Sequence, residues 1–270
     1  MKKTIFIPLL LSFFLILRMN NSVAGTICDD DFKSVEQMVY SNNFTVDRGL
    51  DRYKKTFGDF FSSTLSNLKS TQTWVDFGAG EAKALLQYQS AAKGLGAKTI
   101  AVGVTRPDKS DEIVALEESI SQSDNFSYLA GRFVEKIDDS EFGIIDIGTD
   151  YYGAASYTHQ PTELFNKYLR LLKKDEGQLF VLFSISGYED PISHQFIRTE
   201  TKVINIEGKE VPFHDWLSMQ KGIEVIISTI KEHQVMLKIR RTGDNVNLPH
   251  LVLETIQEGT PPFRVFRERP

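Results

Sequence analysis

The clearest chemical pattern in this chain lies between Trp74 and Lys83, where a short apolar run leads into Gly78 and Gly80. A strand that runs into glycines and then into a helix exposes backbone N–H groups and the positive helix end at the carboxyl edge of a sheet, where α/β proteins bind ligands. A nicotinamide or flavin fingerprint would need a third glycine at the position of Lys83. The segment therefore predicts a ligand site of another class; the alternative is a glycine turn that only connects a strand to a helix.

An acid followed by x-G-x-G and a small residue resembles the first motif of the class I S-adenosylmethionine (SAM) dependent methyltransferases. Asp76, Gly78 and Gly80 match that motif, and Ala82 stands where the family has its last glycine. In that family the loop passes beneath the methionine and ribose of SAM, and the acid reaches toward the methionine end. The resemblance implies that SAM is the cofactor and that Asp76, Gly78, Ala79 and Gly80 bind it.

The resemblance covers most of residues 50–270 and implies three further cofactor contacts. Thr105 follows the second expected strand, where the family usually has an acid that holds both ribose hydroxyls; a threonine hydroxyl can make one such bond. Arg132 follows the third expected strand and could stack on the adenine, although a surface arginine is the alternative. Asp146 lies in the segment that resembles the fourth strand and the loop after it.

The same segment, residues 142–157, supplies the expected catalytic residues, because in the family the loop after the fourth strand faces the methyl group. We expect Asp150 to act as the base for a nucleophilic amine or hydroxyl. Tyr151 and Tyr157 would form aromatic walls around the acceptor. The alternative is that the tyrosines only pack the loop, as tyrosine commonly does.

Several other functions are excluded by the sequence. The five histidines show no metal-ligand spacing, so no metal site is expected. The chain has neither a G-x-S-x-G elbow nor a G-x-x-x-x-G-K loop, which argues against hydrolases and nucleotide triphosphatases. The formal net charge is -5 and no basic stripe is present, which argues against a nucleic-acid partner.

Short apolar runs alternate with helical patterns over the first two thirds of the chain. This alternation predicts a parallel sheet covered on both faces. The expected helices are 50–68, 81–93, 111–120 and one opening at Pro161; the expected strands are 73–77, 99–104, 126–129, 142–147 and 178–184. The predicted fold class is α/β, a Rossmann-like three-layer sandwich with a mostly parallel seven-stranded sheet that is antiparallel at its C-terminal edge.

The alternation of strand and helix patterns ends at Ser184. Residues 184–211 look like an insertion, with a hairpin in which 201–206 turns at Gly208 and Lys209. Three further strands, 223–230, 234–241 and 250–257, are joined by short links, and we expect them to close the sheet edge in antiparallel fashion.

The first 24 residues have the features of a secretory signal peptide. Lys2 and Lys3 precede an apolar run from Thr4 to Leu17, and Ser22-Val23-Ala24 supplies small residues at alternate positions. The run is shorter than the ~20 residues of a membrane-spanning helix, so cleavage after Ala24 is expected and an uncleaved anchor is the alternative. The predicted organisation is a signal peptide at 1–24, a helical segment at 25–70 and a methyltransferase-like domain at 71–270.

Two hypotheses for function follow. The first is a SAM-dependent methyltransferase that transfers a methyl group to a small molecule or a protein side chain. The second is an exported, non-catalytic binding or interaction protein built on a methyltransferase scaffold, because a fold does not establish a function. In both cases we expect a periplasmic or secreted protein without stable membrane association after signal cleavage. The oligomeric state is not predicted.

Overall fold

The computed structural model describes residues 48–103, 111–121, 123–130, 133–189, 195–257 and 261–270. The predicted signal peptide, Thr105 and Arg132 therefore lie outside the described residues. The described helices are α1 (Leu50–Ser66), α2 (Lys83–Ala91), α3 (Asp111–Ser119), α4 (Asp139–Phe142), α5 (Ala154–Tyr157), α6 (Pro161–Leu171) and α7 (Phe213–Ser218). None of them is long and apolar enough to cross a membrane.

A seven-stranded sheet forms the centre of the fold, in the order β10-β11-β5-β4-β1-β2-β3. Its strands are β1 (Thr73–Asp76), β2 (Lys98–Gly103), β3 (Phe126–Ala130), β4 (Ile147–Tyr151), β5 (Gln178–Ser184), β10 (Ile223–Lys231) and β11 (Gln234–Arg241). The first five are parallel, whereas β11 is antiparallel to β5 and to β10. This arrangement confirms the predicted fold class.

Alternating side chains of the strands build a core on each face of the sheet. In β1, Trp74 packs on the α1 and α2 side with Phe61 and Leu85, whereas Val75 packs on the opposite side in the cluster that contains Phe165 of α6. Both faces are covered because the helices between the parallel strands pack on opposite sides of the sheet. The result is the three-layer sandwich that the sequence predicted.

A second, four-stranded sheet was not predicted. It has the order β12-β13-β8-β9 and consists of β8 (Thr201–Ile204), β9 (Glu210–Pro212), β12 (His250–Gln257) and β13 (Phe263–Arg269). The expected hairpin that turns at Gly208 is confirmed as the β8–β9 pair. A two-stranded ribbon, β6 (Tyr188–Glu189) and β7 (Phe196–Ile197), precedes it. The expectation that 250–257 closes the main sheet is wrong, because β12 pairs with β13 instead.

The fourth strand also differs from the prediction of 142–147. The chain forms the short helix α4, which Asp138 caps through its side chain and which ends at Gly143 with φ 70°. Strand β4 begins only at Ile147, and all five of its residues are buried. The apolar run 142–147 was misread as a strand because its residues have different roles: Phe142 is a buried residue of α4, Ile144 is exposed, and Ile145 forms an isolated bridge to Leu172.

Candidate functional site

The glycine loop after β1 lies at the carboxyl edge of the sheet, as the sequence predicted. Phe77 N donates to Thr149 O of β4 at 2.7 Å, and Ala79 N donates to Val102 O of β2 at 3.0 Å. Strands β2 and β3 lie on one side of β1, whereas β4 and β5 lie on its other side, so the strand order reverses between β1 and β4. Open α/β sheets bind ligands at such a switch point.

Gly78 is in direct backbone contact with Gly153, which follows β4. A Cβ at Gly78 would lie 2.3 Å from the Gly153 Cα, and a Cβ at Gly153 would lie 2.4 Å from the Gly78 Cα. Both positions must therefore be glycine for the two loops to touch. Within the described residues, the amides of Gly78 and Gly80 donate no backbone hydrogen bond. These amides are the groups that a ligand at this edge could use.

Asp76 ends β1 and is completely buried. Its Oδ2 accepts a 2.5 Å hydrogen bond from the Tyr53 hydroxyl of α1, whereas its Oδ1 accepts none from any described residue. The neighbouring Thr149 hydroxyl accepts from Trp74 Nε1 at 3.0 Å and donates to Val75 O at 3.4 Å. Burial raises the pKa of Asp76 to about 6, and the Tyr53 hydrogen bond, the Arg48 charge and the nearby Thr149 hydroxyl oppose that rise. A buried carboxylate oxygen without a donor is costly and indicates a place for a ligand cation or donor.

Arg48 precedes α1 and bridges the helix to the glycine loop. Its Nη2 donates to Gly78 O at 2.8 Å, and its guanidinium lies 4.7 Å from the centroid of the Tyr151 ring. The residue is 7% exposed, and its Nε has no partner among the described residues. Leu50 N donates to Gln87 Oε1 of α2 at 2.7 Å, which fixes the start of α1 beside the site. The positively charged guanidinium of Arg48 thus lies against the glycine loop.

Asp150 does not have the position expected of a base. It lies inside β4 rather than in the loop, and it is completely buried. Its carboxylate accepts from Gly153 N at 2.7 Å, from Ala155 N at 2.8 Å and from the Tyr168 hydroxyl at 2.7 Å. Burial raises its pKa to about 6, and these hydrogen bonds oppose the rise. Asp150 therefore shapes the loop after β4, and its oxygens are not available to a substrate.

Tyr151 also has a packing role. Its ring lies against Tyr53 and Phe57 of α1, and its hydroxyl is 3.1 Å from Thr56 Oγ1 and 3.3 Å from Arg52 Nε. This is the packing alternative that the sequence left open. Tyr151 nevertheless belongs to the aromatic cluster beside Asp76, because Tyr53 contacts both Tyr151 and Asp76.

Tyr157 ends α5 and is partly buried, and burial raises its pKa. The helix that carries it is held by Arg264 of β13, a completely buried arginine. Arg264 Nη2 donates to Ala155 O at 3.0 Å and to Thr201 Oγ1 at 2.8 Å, and its Nη1 donates to Thr158 O. The second sheet thus fixes the loop after β4.

Asp146 is not part of this site, which corrects the expectation that it binds the cofactor. It precedes β4, so it lies at the amino edge of the sheet, opposite Asp76. There its carboxylate accepts from Gln72 Nε2 and from Thr73 N, both at 2.9 Å. The error follows from the misplaced fourth strand, which put Asp146 at the wrong end. Thr105 and Arg132 stay predictions, because both lie outside the described residues.

Four residues near the site were missed by sequence reasoning. Tyr53 and Arg48 contact Asp76 and Gly78 across 23 and 30 residues of chain. Tyr128 of β3 donates from its hydroxyl to Gly80 O. Arg264 approaches from the second sheet. The helical period of α1 predicted that Tyr53 faces the core, but no local signal identifies its partner.

No family model matches this sequence, and no curated protein matches it. Solved structures of methyltransferases are similar in fold. The CcbJ methyltransferase from Streptomyces caelestis is 11% identical with a TM-score of 0.44, over 76% of this chain and 95% of that chain. An O-methyltransferase family protein from Burkholderia thailandensis is 13% identical with a TM-score of 0.42, over 80% and 70%. Phosphoethanolamine N-methyltransferase 2 from Haemonchus contortus, in complex with S-adenosyl-L-methionine, is 14% identical with a TM-score of 0.42, over 80% and 57%.

Proposed function

We propose that this protein is a SAM-dependent methyltransferase. One observation carries the proposal: Asp76 presents a buried carboxylate oxygen that accepts from no described residue, beside the glycine loop and at the switch point of a Rossmann-like sheet. The pattern Asp76-x-Gly78-x-Gly80, which resembles the first motif of that family, occupies the loop.

The described residues suit the methionine end of SAM. Asp76 Oδ1 would accept from its ammonium group, and the Arg48 guanidinium would pair with its carboxylate. The amides of Gly78 and Gly80, which donate to no described backbone carbonyl, would bind the ribose side of SAM. Thr105 and Arg132 remain the proposed contacts to ribose and adenine. When bound, SAM supplies a methyl group already activated by the sulfonium.

The protein's contribution would be to position the acceptor and exclude water. Tyr53, Phe57 and Tyr151 form a packed aromatic wall that closes the α1 side of the site. On the other side, Asp150 and Arg264 hold the loop after β4 in one conformation. Holding the acceptor in line with the methyl group would account for most of the rate enhancement. The proposed acceptor is a small molecule or a protein side chain.

The second candidate function is an exported binding protein that uses the same scaffold without turnover. The specific observation in its favour is the use of both Asp150 oxygens by Gly153 N, Ala155 N and the Tyr168 hydroxyl, which removes the expected base. Export itself is also a proposal, since the signal peptide lies outside the described residues. A mature N-terminus at Gly25 would support it.

Thermal unfolding of the full chain with excess SAM or S-adenosylhomocysteine tests the proposal, because a ligand that binds only the native state stabilises it. We expect a higher Tm with both ligands. Asp76→Ala should lose this shift, whereas Asp146→Asn at the opposite edge should keep it. The absence of any shift would exclude a SAM enzyme and leave the binding protein.

Turnover needs a separate measurement, the release of S-adenosylhomocysteine in the presence of mixed small-molecule and peptide acceptors. Release that depends on Asp76 supports the enzyme. A thermal shift without release supports the non-catalytic alternative.

A further inference from the structure

Strand β10 is the outer strand of the seven-stranded sheet within the described part of the chain. Eight of its nine residues, Ile223–Lys231 without Ile230, pair with β11, and no other described strand pairs with it on the opposite side. The N–H and C=O groups on its other side therefore point away from the sheet. Such an edge is a template for another strand.

The central residues of the edge, Val225 to Ile230, carry none of the charges that usually protect outer strands. Ile226 is 42% exposed, Ile227 is 37% exposed and Ile230 is also exposed. Charged side chains occur only near the two ends, at Glu224 and Lys231. Soluble proteins normally place lysine, proline or inward-pointing charges within an exposed edge strand, so this apolar edge indicates a binding surface.

The sequence of β10 is complementary to itself in the antiparallel direction. A two-fold axis perpendicular to the sheet keeps each face on its own side, so residues that pair across it must lie on the same face. An axis at any residue of β10 satisfies this rule; an axis at Ile227 brings Ile227 opposite its own copy and Val225 opposite Thr229 on one face, and Ile226 opposite Ser228 on the other. The two pairs on the Ile227 face consist of β-branched residues, which favour cross-strand contact.

The charges at the ends fit the same register. The pairing of β10 with β11 shifts between Thr229 and Lys231, so Ile230 is an extra residue and Lys231 lies on the face of Glu224 and Ile226. With the axis at Ile227, Glu224 of one copy comes opposite the Ile230–Lys231 bulge of the other. Glu224, which also pairs with Arg240 of β11 in its own chain, then comes near Lys231 of the other copy at both ends of the paired strands.

We propose that β10 is the interface of a homodimer, in which two copies pair edge to edge and form one continuous sheet. Exposed apolar surface beside the edge enlarges the contact, since Phe60 is exposed and packs against Lys238 of β11, whose Nζ lies 4.0 Å from the ring centroid. A nine-residue strand gives a contact about 30 Å long. This inference is independent of the proposed catalytic function.

Sedimentation velocity of the purified full chain provides the first test. We expect the wild type to sediment as a dimer and Ile227→Lys to sediment as a monomer. Ile256→Lys is the matched control, because Ile256 is a 42% exposed strand residue in the second sheet; this variant should remain dimeric. A monomeric wild type, or a dimer that survives Ile227→Lys, would overturn the proposal; in the first case the edge would have to bind a different protein.

Disulfide trapping tests the register without relying on a destabilising charge. Cys28 is the single cysteine, so Cys28→Ser provides a clean background. Cα atoms of directly opposed residues in an antiparallel pair lie about 4.5–5.5 Å apart, within the range of a disulfide. Ile227→Cys should therefore form a covalent dimer on mild oxidation. Ser228→Cys, which would oppose Ile226, should not. Equal trapping of both, or none with Ile227→Cys, would contradict the proposed pairing.

Discussion

Replacing Gly78 by alanine should push apart the two loops that form the switch point. The added Cβ would lie 2.3 Å from the Gly153 Cα. Carbon atoms pack comfortably at about 3.5–4.0 Å, so the loops would have to separate by more than about 1 Å. Overpacking typically costs about 1–3 kcal/mol, and we expect the upper end because both colliding segments are backbone.

Urea unfolding of Gly78→Ala, Gly153→Ala and the double variant measures this effect. Because either alanine already separates the loops, the second should cost less than it does alone, and the double variant should be at least about 1 kcal/mol more stable than additivity predicts. Gly208→Ala is the control: its φ is 80° and nothing lies within 4 Å of the added Cβ. It should cost about 1–2 kcal/mol through backbone strain and add independently. Additive costs at Gly78 and Gly153, or negligible ones, would refute the close contact.

Three further predictions concern buried polar groups. The pKa of Asp76 rises from 3.8 to about 6 on folding, so the free energy of unfolding of the wild type should decrease as the pH increases from about 4 to 6. In urea unfolding, Asp76→Asn should be more stable than the wild type by up to about 3 kcal/mol above pH 6, and the two should be equally stable below pH 4. Asp150→Asn should instead be destabilised by about 1–3 kcal/mol in the same assay, because in either orientation its NH2 would face one of the N–H groups of Gly153 and Ala155. Arg264→Met should cost about 2–4 kcal/mol and accelerate amide hydrogen exchange in α5, by leaving carbonyls without donors.

The glycine loop could be predicted because its signal is local. A buried strand, two glycines and a helix follow one another within 73–91, and every part of that signal depends on neighbours in sequence. The predicted start of α2 at residue 81 is wrong. Ala82 adopts φ 63°, so the helix begins at Lys83. The conformation of Ala82 depends on the close packing of the loop, which no residue pattern encodes.

The fourth strand was misplaced for a different reason. Its five residues include Thr149 and Asp150, and these polar residues do not indicate a buried strand in the sequence. Their burial is compensated by hydrogen bonds to Trp74, Gly153, Ala155 and Tyr168, partners that sequence alone does not reveal. The assignment of Asp150 as a base and of Asp146 as a cofactor contact followed from this one error.

The second sheet was missed because its contacts are long-range. Strand β13 contains three arginines in seven residues and looks like an exposed tail. Arg264 is nevertheless buried, because it reaches Ala155 and Thr158 more than 100 residues earlier in the chain. Such pairings are specified by the assembled fold, not by local periodicity.

Isothermal titration calorimetry of the full chain with S-adenosylhomocysteine at pH 7.5 tests whether the carboxyl edge of the sheet binds the cofactor. We expect one site per chain, whose heat disappears in Asp76→Ala and persists in Asp146→Asn. No heat with the wild type, or binding that Asp76→Ala leaves unchanged, would contradict the assignment of the carboxyl edge as a SAM site.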